Sequence, residues 1–244
     1  MAEMKNNIEW SYLNKKFRLA QRNDKFKFGT DAVLLSYFAA IKSYHNVVDL
    51  CSGTGAVGFL SFLRYNTLNT VFVDIDEDMT RLSELTAEEN SLSSRFSHIT
   101  CDINELNNGI IKNHWADYIT VNPPYFNKNC GKENKIPDLE KARRCDENFL
   151  NILFAKSFAI LKDGGKIAVV HRSEYLSDIF FYMKSNCIEP KRIRLVHSYA
   201  EKNALLVLVE GMKNASVSVI CESPLVLYKN RGEYTEEYKK IQEI

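Results

Sequence analysis

Residues 119–126 read Ile-Thr-Val-Asn-Pro-Pro-Tyr-Phe, and the β-branched run at their start predicts a buried strand over 117–121. Proline cannot donate a backbone hydrogen bond to a neighbouring strand, so the strand must end at Asn122 and a stiff turn must follow. Open α/β sheets bind ligands at the carboxyl ends of their strands. There the Asn122 carboxamide, the fixed Pro123 carbonyl and the Tyr125 ring suit a flat group that bears an exocyclic amine. A strand end and turn without function is the plainer alternative.

Strand and helix patterns alternate along most of the chain. Strand patterns cover residues 46–50, 70–75, 96–101, 166–170, 192–197 and 204–210, and helical patterns cover residues 32–41, 59–65, 79–90, 149–161 and 175–186. Such alternation predicts a parallel sheet with helices on both faces. The last two strands have no helix between them, so we expect them to pair as an antiparallel hairpin. Residues 103–112 predict a weak helix, 217–228 an extended segment and 234–242 a short terminal helix.

Composition excludes several classes of protein. The chain has 32 Lys and Arg against 31 Asp and Glu, so it is not an overall polycation and any surface that binds nucleic acid must be local. The six cysteines form no C-x-x-C pair and the histidines are isolated, so we expect no metal site. The N-terminus lacks an apolar leader, and no apolar run is long enough to cross a bilayer. We therefore expect a cytoplasmic protein without membrane contact.

A glycine-rich loop follows the first of these strand patterns. Gly53-x-Gly55-x-x-Gly58 opens a helix and Asp74 lies about 20 residues further on, which on spacing alone is the dinucleotide fingerprint. A nicotinamide-dependent enzyme is therefore one alternative. Asp49 argues against it, because a carboxylate just before the loop would crowd a pyrophosphate and suits a cation better.

Three segments carry a resemblance to a known family. Asp49-Leu-Cys-Ser-Gly-Thr-Gly55 resembles the first motif of S-adenosylmethionine-dependent methyltransferases, with Cys51 where the family often has glycine. Asn122-Pro-Pro-Tyr125 resembles the signature of the members that modify the amino nitrogen of adenine or of glutamine. Phe28-Gly-Thr-Asp31 resembles the extra cofactor-side motif of the same group, and the three motifs occur in the family's order. Thr30 or Asp31 can also cap the helix that follows.

The layout of the remaining chain narrows the resemblance. Leu34-Leu35, Glu189-Pro-Lys-Arg-Ile193 and Tyr234 are similar to bacterial methyltransferases that act on adenine N6 of a valine tRNA, next to the anticodon. The resemblance implies an α/β fold of the Rossmann-like class I methyltransferase type. We expect a seven-stranded, mostly parallel sheet with an antiparallel last strand and helices on both faces.

The length of the chain predicts one domain with small additions at its ends. We expect residues 1–45 to form a basic arm and a helix packed on the cofactor side, residues 46–212 to form the methyltransferase core, and residues 213–244 to form a C-terminal extension. We expect these three parts to make up a single domain.

The implied cofactor is S-adenosylmethionine. Asp74 would take the two ribose hydroxyls, and Asp102 occupies the position that usually binds the adenine amine. The full set of implied cofactor residues is Phe28, Thr30, Asp49, Cys51, Gly53, Gly55, Asp74, Ile75, Asp102, Ile103 and Asn122.

The implied reaction depends mainly on positioning. Asn122 and the Pro123 carbonyl would accept the two hydrogens of the amine and direct its lone pair at the methyl group. Tyr125 would stack on the base and Phe126 would close its other side. Well-aligned groups can contribute roughly 7–11 kcal/mol to such a reaction.

Basic residues indicate which substrate carries the amine. Candidate phosphate contacts lie in two places. Lys15, Lys16 and Arg18 belong to the basic N-terminal arm, and Arg143 belongs to a long aperiodic segment. A loop base in tRNA is already unpaired, whereas a duplex base must first be extruded. We therefore expect tRNA as the partner, without an obligate protein partner. Protein glutamine methylation, DNA adenine methylation and a non-catalytic module that binds S-adenosylmethionine and RNA stay open.

Overall fold

Nine strands form one sheet in the part of the protein that the computed structural model describes, residues 8–24, 28–124 and 149–243. Four more strands form two separate hairpins. In chain order the strands are β1 (Ile8–Tyr12), β2 (Arg18–Arg22), β3 (Asn46–Leu50), β4 (Asn69–Asp74), β5 (Phe96–Thr100), β6 (Ala116–Val121), β7 (Leu161–Arg172), β8 (Ile188–His197), β9 (Ala204–Lys213), β10 (Ile220–Cys221), β11 (Leu225–Val226), β12 (Tyr228–Asn230) and β13 (Glu233–Tyr234). The helices are α1 (Thr30–Phe38), α2 (Ala56–Tyr65), α3 (Glu77–Glu89), α4 (Phe149–Ile160), α5 (Leu176–Ser185) and α6 (Glu236–Gln242).

The sheet has a parallel centre and an antiparallel end. Its order is β10-β8-β9-β7-β6-β3-β4-β5, and β11 also pairs with β8. Strands β3 to β7 run parallel, and β9 runs antiparallel to both β7 and β8. The predicted fold class and the predicted hairpin of the last two long strands are therefore confirmed. The short strands β10 and β11 run parallel to β8 and widen the sheet beyond the seven predicted strands.

Most predicted elements occur within a few residues of their expected bounds, but three segments differ. The N-terminal arm contains the β1–β2 hairpin; the three buried residues of β2 are consecutive and stand between Arg18 and Arg22, so they show no alternating strand pattern. Strand β7 begins at Leu161, directly after α4, and not at residue 166. The weak helix is replaced by short turns over Ile103–Glu105 and Leu106–Ile110, because Gly109 has a φ of 88° and interrupts helical backbone.

Apolar side chains cover both faces of the sheet. Successive residues of one strand serve opposite faces, so that Val47 packs under α1 and α2 whereas Val48 packs with Phe154 of α4 and Ile179 of α5. Phe59 is among the aromatic residues that are fully buried on the first face. Burial of one such side chain contributes about 1.5–3 kcal/mol. With both faces covered, a ligand has to bind at an edge of the sheet.

The β1–β2 hairpin packs along α3. Ala20 is buried next to Leu82, and its backbone N–H donates to Thr86 Oγ1 at 2.9 Å. The Asn90 carboxamide accepts from the Arg18 N–H at 3.0 Å and donates to the Arg18 carbonyl at 2.7 Å. The predicted basic arm is therefore, over its described residues, a folded hairpin attached to the core.

The C-terminal segment folds back onto β8 and α1. The Tyr228 N–H donates to the Ser198 carbonyl at 2.9 Å, directly after β11 has paired with the end of β8. Thr235 caps α6 through Oγ1, which accepts from the Tyr238 N–H at 3.3 Å. Tyr238 and Ile241 are buried in the core cluster that contains α1. The segment is thus part of the same hydrophobic core as the sheet.

A buried carboxylate links four strands at the middle of the sheet. The Glu210 side chain is 3% exposed, and it accepts from Lys166 at 2.9 Å, from Arg192 at 3.4 Å and from the Tyr118 hydroxyl. Burial and the adjacent Glu210 charge raise the pKa of Tyr118 well above its ordinary value, so the phenol keeps its proton and donates it. The network joins β6, β7, β8 and β9.

Removing this carboxylate should destabilise the fold strongly. Glu210→Ala leaves the Lys166 and Arg192 cations without their shared partner, and we expect the free energy of unfolding to fall by about 3 kcal/mol. The matched control is Glu84→Ala, which breaks an exposed pair with Arg81 and should cost about 0–1 kcal/mol. Urea unfolding followed by circular dichroism measures both. Equal losses in the two variants would contradict a structural role for Glu210.

Candidate active site

The carboxyl ends of four parallel strands meet at one edge of the sheet, the carboxyl edge. Leu50 at the end of β3 pairs with Val73 of β4 and with Val121 of β6, and Asp74 pairs with Thr100 of β5. The residues that follow these positions in the chain therefore lie side by side. They include the predicted site residues Cys51, Ile75, Asp102 and Asn122.

The glycine loop presents bare backbone to this edge. Gly53 and Gly55 have φ values of 54° and 82°, a region that disfavours residues with side chains. Gly55 is the N-cap residue of α2, and its N–H donates to the Ser52 carbonyl at 2.8 Å. A Cβ on Gly58 would lie 2.3 Å from Cε1 of Phe72, so the absence of a side chain lets α2 pack directly on β4. A ligand can therefore approach the loop closely.

Asp74 holds the glycine loop from the neighbouring strand. Its Oδ2 accepts from the Gly53 N–H at 2.7 Å and its Oδ1 from the Asp76 N–H at 2.9 Å. Burial raises the pKa of Asp74, and the backbone hydrogen bonds act in the opposite direction. The next residue, Ile75, is an apolar side chain that is 69% exposed. A carboxylate beside an exposed apolar side chain fits a nucleoside. The carboxylate can accept hydrogen bonds from the ribose hydroxyls, and the apolar side chain can contact the flat base.

Asp49 lies beneath the loop and not in the cleft. Its side chain is fully buried, Oδ2 accepts from the Gly58 N–H at 3.0 Å, and Oδ1 accepts from Thr120 Oγ1 at 2.7 Å. Burial raises the pKa of Asp49 to about 7, against the effect of these two hydrogen bonds. The expectation of a carboxylate open to a bound cation is therefore corrected. Asp49 joins β3 to α2 and β6 beneath the glycine loop.

Two further predicted residues follow β5. Asp102 is exposed, and its Oδ1 accepts from the backbone N–H of Asn104 at 2.8 Å and from its side-chain amide at 2.9 Å. Ile103 is half-buried against the core. Asp102 thus caps a short turn and also stands at the carboxyl edge, a position compatible with the expected contact to an adenine amine.

Cys51 occupies a strained position. Its φ of 55° lies in the left-handed region, where a residue with a side chain costs about 1–2 kcal/mol. This explains why glycine is frequent here in the family that the chain resembles. The side chain is half-buried and the fold accommodates it.

The start of α1 reaches the same edge. The N-cap residue is Gly29, without a side-chain hydrogen bond, so the expectation that Thr30 or Asp31 caps the helix is wrong. Thr30 Oγ1 instead lies 3.4 Å from the Tyr238 hydroxyl of α6, which donates to it. The Phe28 N–H donates to Gln21 Oε1 at 3.2 Å, which ties this motif to the β1–β2 hairpin. The motif is therefore fixed from two sides.

The strand-end stretch is described as far as its second proline. Strand β6 ends at Val121, Asn122 follows it half-buried, and Pro123 is buried. The strand end predicted from the two prolines is thereby confirmed. The predicted residues Tyr125, Phe126 and Arg143 lie outside the described residues.

The predicted phosphate contacts of the arm lie elsewhere. Arg22 pairs with Asp78 in the first turn of α3, whereas Arg18 pairs with Glu89 in its last turn. The hairpin turn with Lys15 and Lys16 therefore lies at the far end of α3, about 20 Å along that helix from the carboxyl edge. The two lysines are exposed, but the structure does not bring them or Arg18 to the other site residues.

Sequence reasoning passed over one residue at this edge. His171 is the penultimate residue of β7, is fully buried, and packs against the Tyr175 ring with centroids 4.5 Å apart and an interplanar angle of 53°. Its Nδ1 accepts from the Arg172 N–H at 2.9 Å, and burial lowers its pKa to about 4, so the ring is neutral. Register with β6 places it next to the turn after Asn122. Its location at a strand end was the available signal.

The described residues fit a nucleoside bound at the carboxyl edge. The loop backbone is bare, Asp74 offers a carboxylate, and the buried Ser52 hydroxyl has no hydrogen-bond partner among the described residues.

Among the residues that the structure describes, no helix combines the length and apolar character needed to cross a bilayer.

The chain and its fold are similar to known methyltransferases. Residues 22–183 match the family model of the methyltransferase small domain. The chain is 29% identical to a tRNA1(Val) (adenine(37)-N6)-methyltransferase of Flavobacteriaceae bacterium strain 3519-10, aligned over 93% of this chain and 94% of that protein. It is 26% identical to a protein of the same name from Pedobacter heparinus, over 93% and 94% of the two chains. A predicted O-methyltransferase of Agrobacterium tumefaciens superposes with a TM-score of 0.71 at 17% identity, covering 87% of this chain and 95% of that one.

Ionisation of Asp49 should make stability depend on pH. The folded chain keeps this proton up to about pH 7, whereas the unfolded chain releases it near the ordinary value of 3.8. The free energy of unfolding should therefore fall as pH rises through this window, by about 1.4 kcal/mol per pH unit. Asp49→Asn preserves the shape without the ionisation, so the difference between wild type and variant isolates the effect. Urea unfolding at about pH 4, 5.5 and 7 measures it; a difference that does not change with pH would contradict the burial argument.

Proposed function

The chain belongs to the methyltransferase small domain family, and from this premise we propose that it methylates the exocyclic N6 of an adenine in a tRNA, with S-adenosylmethionine as the donor. The observation that carries the proposal is the register of β3, β4 and β6, which brings the glycine loop, Asp74 and Asn122 to one edge. A donor held by the first two would lie next to an amine held by the third.

The cofactor side is formed by the ends of β3, β4 and β5. Asp74 would bind the ribose hydroxyls, Ile75 would contact the adenine ring, and Asp102 would accept from the adenine amine. The bare backbone at Gly53 and Gly55 would lie against the amino-acid part. When bound, S-adenosylmethionine supplies a methyl group on a sulfonium, which is already an activated donor.

The amine side is formed by the end of β6. The amine of adenine is a poor nucleophile because its lone pair is delocalised into the ring. The Asn122 carboxamide oxygen and the Pro123 carbonyl would accept its two hydrogens, which favours a pyramidal nitrogen and directs the lone pair at the methyl group. Both acceptors follow a strand that is buried on both faces, so their positions are fixed before the substrate binds.

The relatives favour tRNA over the other amine substrates. Two proteins that align with nearly the whole chain are named as methyltransferases of adenine 37 in tRNA1(Val). We therefore place the target adenine next to the anticodon of a valine tRNA and the reaction in the cytoplasm. This base lies in a loop, so it can enter the site without being unpaired first.

Asn122→Ala should almost abolish methyl transfer while leaving cofactor binding nearly intact. The proposed contact strengthens as the amine leaves the ring plane, so its loss should act on the chemical step and lower the rate by about a hundred-fold or more. Single-turnover methylation of a valine tRNA transcript at saturating S-adenosylmethionine measures this step. Asn69→Ala is the matched control, because Asn69 is exposed at the opposite edge of the sheet.

The cofactor side gives the opposite result. Asp74→Ala should weaken S-adenosylmethionine binding by about 1.5–3 kcal/mol, as for the loss of a charge-assisted hydrogen bond, and titration calorimetry measures it.

Two outcomes would contradict the proposal. If the Asn122 variant methylates at the wild-type rate, the stretch around Asn122 is only the end of a strand. Methylation of a release-factor glutamine or of DNA, with none of tRNA, would refute the proposed substrate.

A further inference from the structure

Three half-buried tyrosine rings form a row next to α6. Tyr199, Tyr228 and Tyr234 have successive ring centroids 5.5 and 5.0 Å apart, with interplanar angles of 30° and 35°. Tyr238, which is buried, continues the row with an edge contact to Tyr234 at 5.0 Å. The first three rings, called the tyrosine row below, are partly accessible to solvent, although burying aromatic rings completely is favourable. Because the neighbouring rings already pack against one another, an added ring can join the row only at the parts that solvent reaches.

The tyrosine row lies at the same edge of the sheet as the candidate active site. Strand β8 runs parallel to β7, so its end at His197 and the turn with Tyr199 belong to the carboxyl edge. The Tyr228 N–H donates to the Ser198 carbonyl at 2.9 Å and holds the second ring there. Next to Tyr234, at the other end of the row, the buried Tyr238 donates through its hydroxyl to Thr30 at 3.4 Å. The row and Tyr238 together therefore extend from the end of β8 to the start of α1.

The distance to the target base is short. Strand β8 is three strands away from β6, which corresponds to about 14 Å along the carboxyl edge. Asn122 follows β6, so nucleotides adjacent to a base held there would pass over the end of β7 and the start of β9 towards the row. The surface thus continues the proposed site.

The charge around the row suits a nucleic-acid backbone only moderately. Lys202, Lys229 and Arg231 are exposed beside it, but so are Glu201 and Glu233. Lys229 pairs with Glu233 at 3.6 Å, which reduces its attraction for a phosphate. The attraction that remains is the stacking of rings, which does not depend on charge.

We propose that Tyr199, Tyr228 and Tyr234 stack unpaired RNA nucleotides that neighbour the methylated adenine. This inference rests on the proposed function and adds a second contact surface to it. Base stacking on aromatic side chains is tolerant of sequence and is used by proteins that bind single strands. The tyrosine row would hold the loop while the strand-end stretch selects the base.

The test removes two rings and keeps apolar bulk. Tyr199→Leu combined with Tyr228→Leu should weaken binding of an anticodon stem-loop RNA by about ten-fold or more. Because the lost contacts are uncharged, the slope of affinity against salt concentration should stay that of wild type. Fluorescence anisotropy at several salt concentrations gives both quantities.

Matched controls separate stacking from folding. Tyr44→Leu removes a tyrosine that is 63% exposed before β3, at the opposite edge, and should bind RNA as wild type does. Tyr199→Phe with Tyr228→Phe keeps the rings and should restore affinity. If the leucine variant fails to fold, 5-iodouridine placed at successive loop positions of the RNA, followed by ultraviolet cross-linking and peptide mapping, tests the wild-type protein directly. Cross-links should fall on Tyr199 or Tyr228.

The outcomes distinguish this inference from the function on which it rests. If wild type methylates tRNA but the leucine variant binds RNA within about two-fold of wild type, the tyrosine row is not an RNA surface. Cross-links confined to other peptides would lead to the same conclusion. If wild type methylates a protein or DNA and not tRNA, the proposed function fails and this inference fails with it.

Discussion

One buried carboxylate connects the two halves of the candidate site. Asp49 accepts a hydrogen bond from the Gly58 N–H in α2 and another from Thr120 in β6. The first bond fixes the helix that follows the glycine loop, and the second fixes the strand that presents Asn122 two residues later. A group transfer needs donor and acceptor aligned to a fraction of an ångström. Asp49 connects the element behind the glycine loop and the strand before Asn122 to the same strand, β3. Its location in the interior, away from solvent, keeps that link rigid.

The same link explains why an ionisable side chain occupies a position where burial disfavours its charged form. A polar side chain in a sheet interior is stable only if its hydrogen bonds are made, and both Asp49 oxygens have a partner. Asp74 makes the corresponding contact from the side, through the Gly53 N–H. The loop is therefore held from below and from the next strand. The conformation of the loop is thus set by hydrogen bonds from within the protein.

Much of the fold could be predicted from the sequence because its signals are local. The prolines after Asn122 end a strand wherever they occur, and the spacing of Gly53, Gly55 and Asp74 already implies a strand, a loop and a second strand. Alternation of strands and helices then leaves few topologies for the sheet. Asn122 and Asp74 could be placed on one edge for the same reason, since every parallel strand ends there.

What could not be predicted depends on which residues meet across long stretches of chain. The basic residue Arg18 looked available to phosphates, but its partner, Glu89, lies 71 positions away. The buried Asp49 side chain is hydrogen-bonded to Thr120 of another strand, and the periodicity of the sequence does not predict such a contact. The tyrosine row joins the end of β8 to residues near the C-terminus, and Tyr199 by itself has no distinguishing pattern. The numbers of positive and negative residues in the sequence do not show which of them pair over long distances.

Near-neutral charge constrains how such a protein can hold an RNA. A chain with a net charge of +1 has little long-range attraction for a polyanion, so affinity has to come from contacts made close to the target base. The structure places Lys15, Lys16 and Arg18 about 20 Å from the carboxyl edge along α3, and it places partly accessible aromatic rings at that edge. Stacking is effective only on unpaired bases, whereas cations attract any phosphate. A site that relies on rings therefore discriminates a loop from a duplex, which is the distinction that a loop-specific methyltransferase has to make.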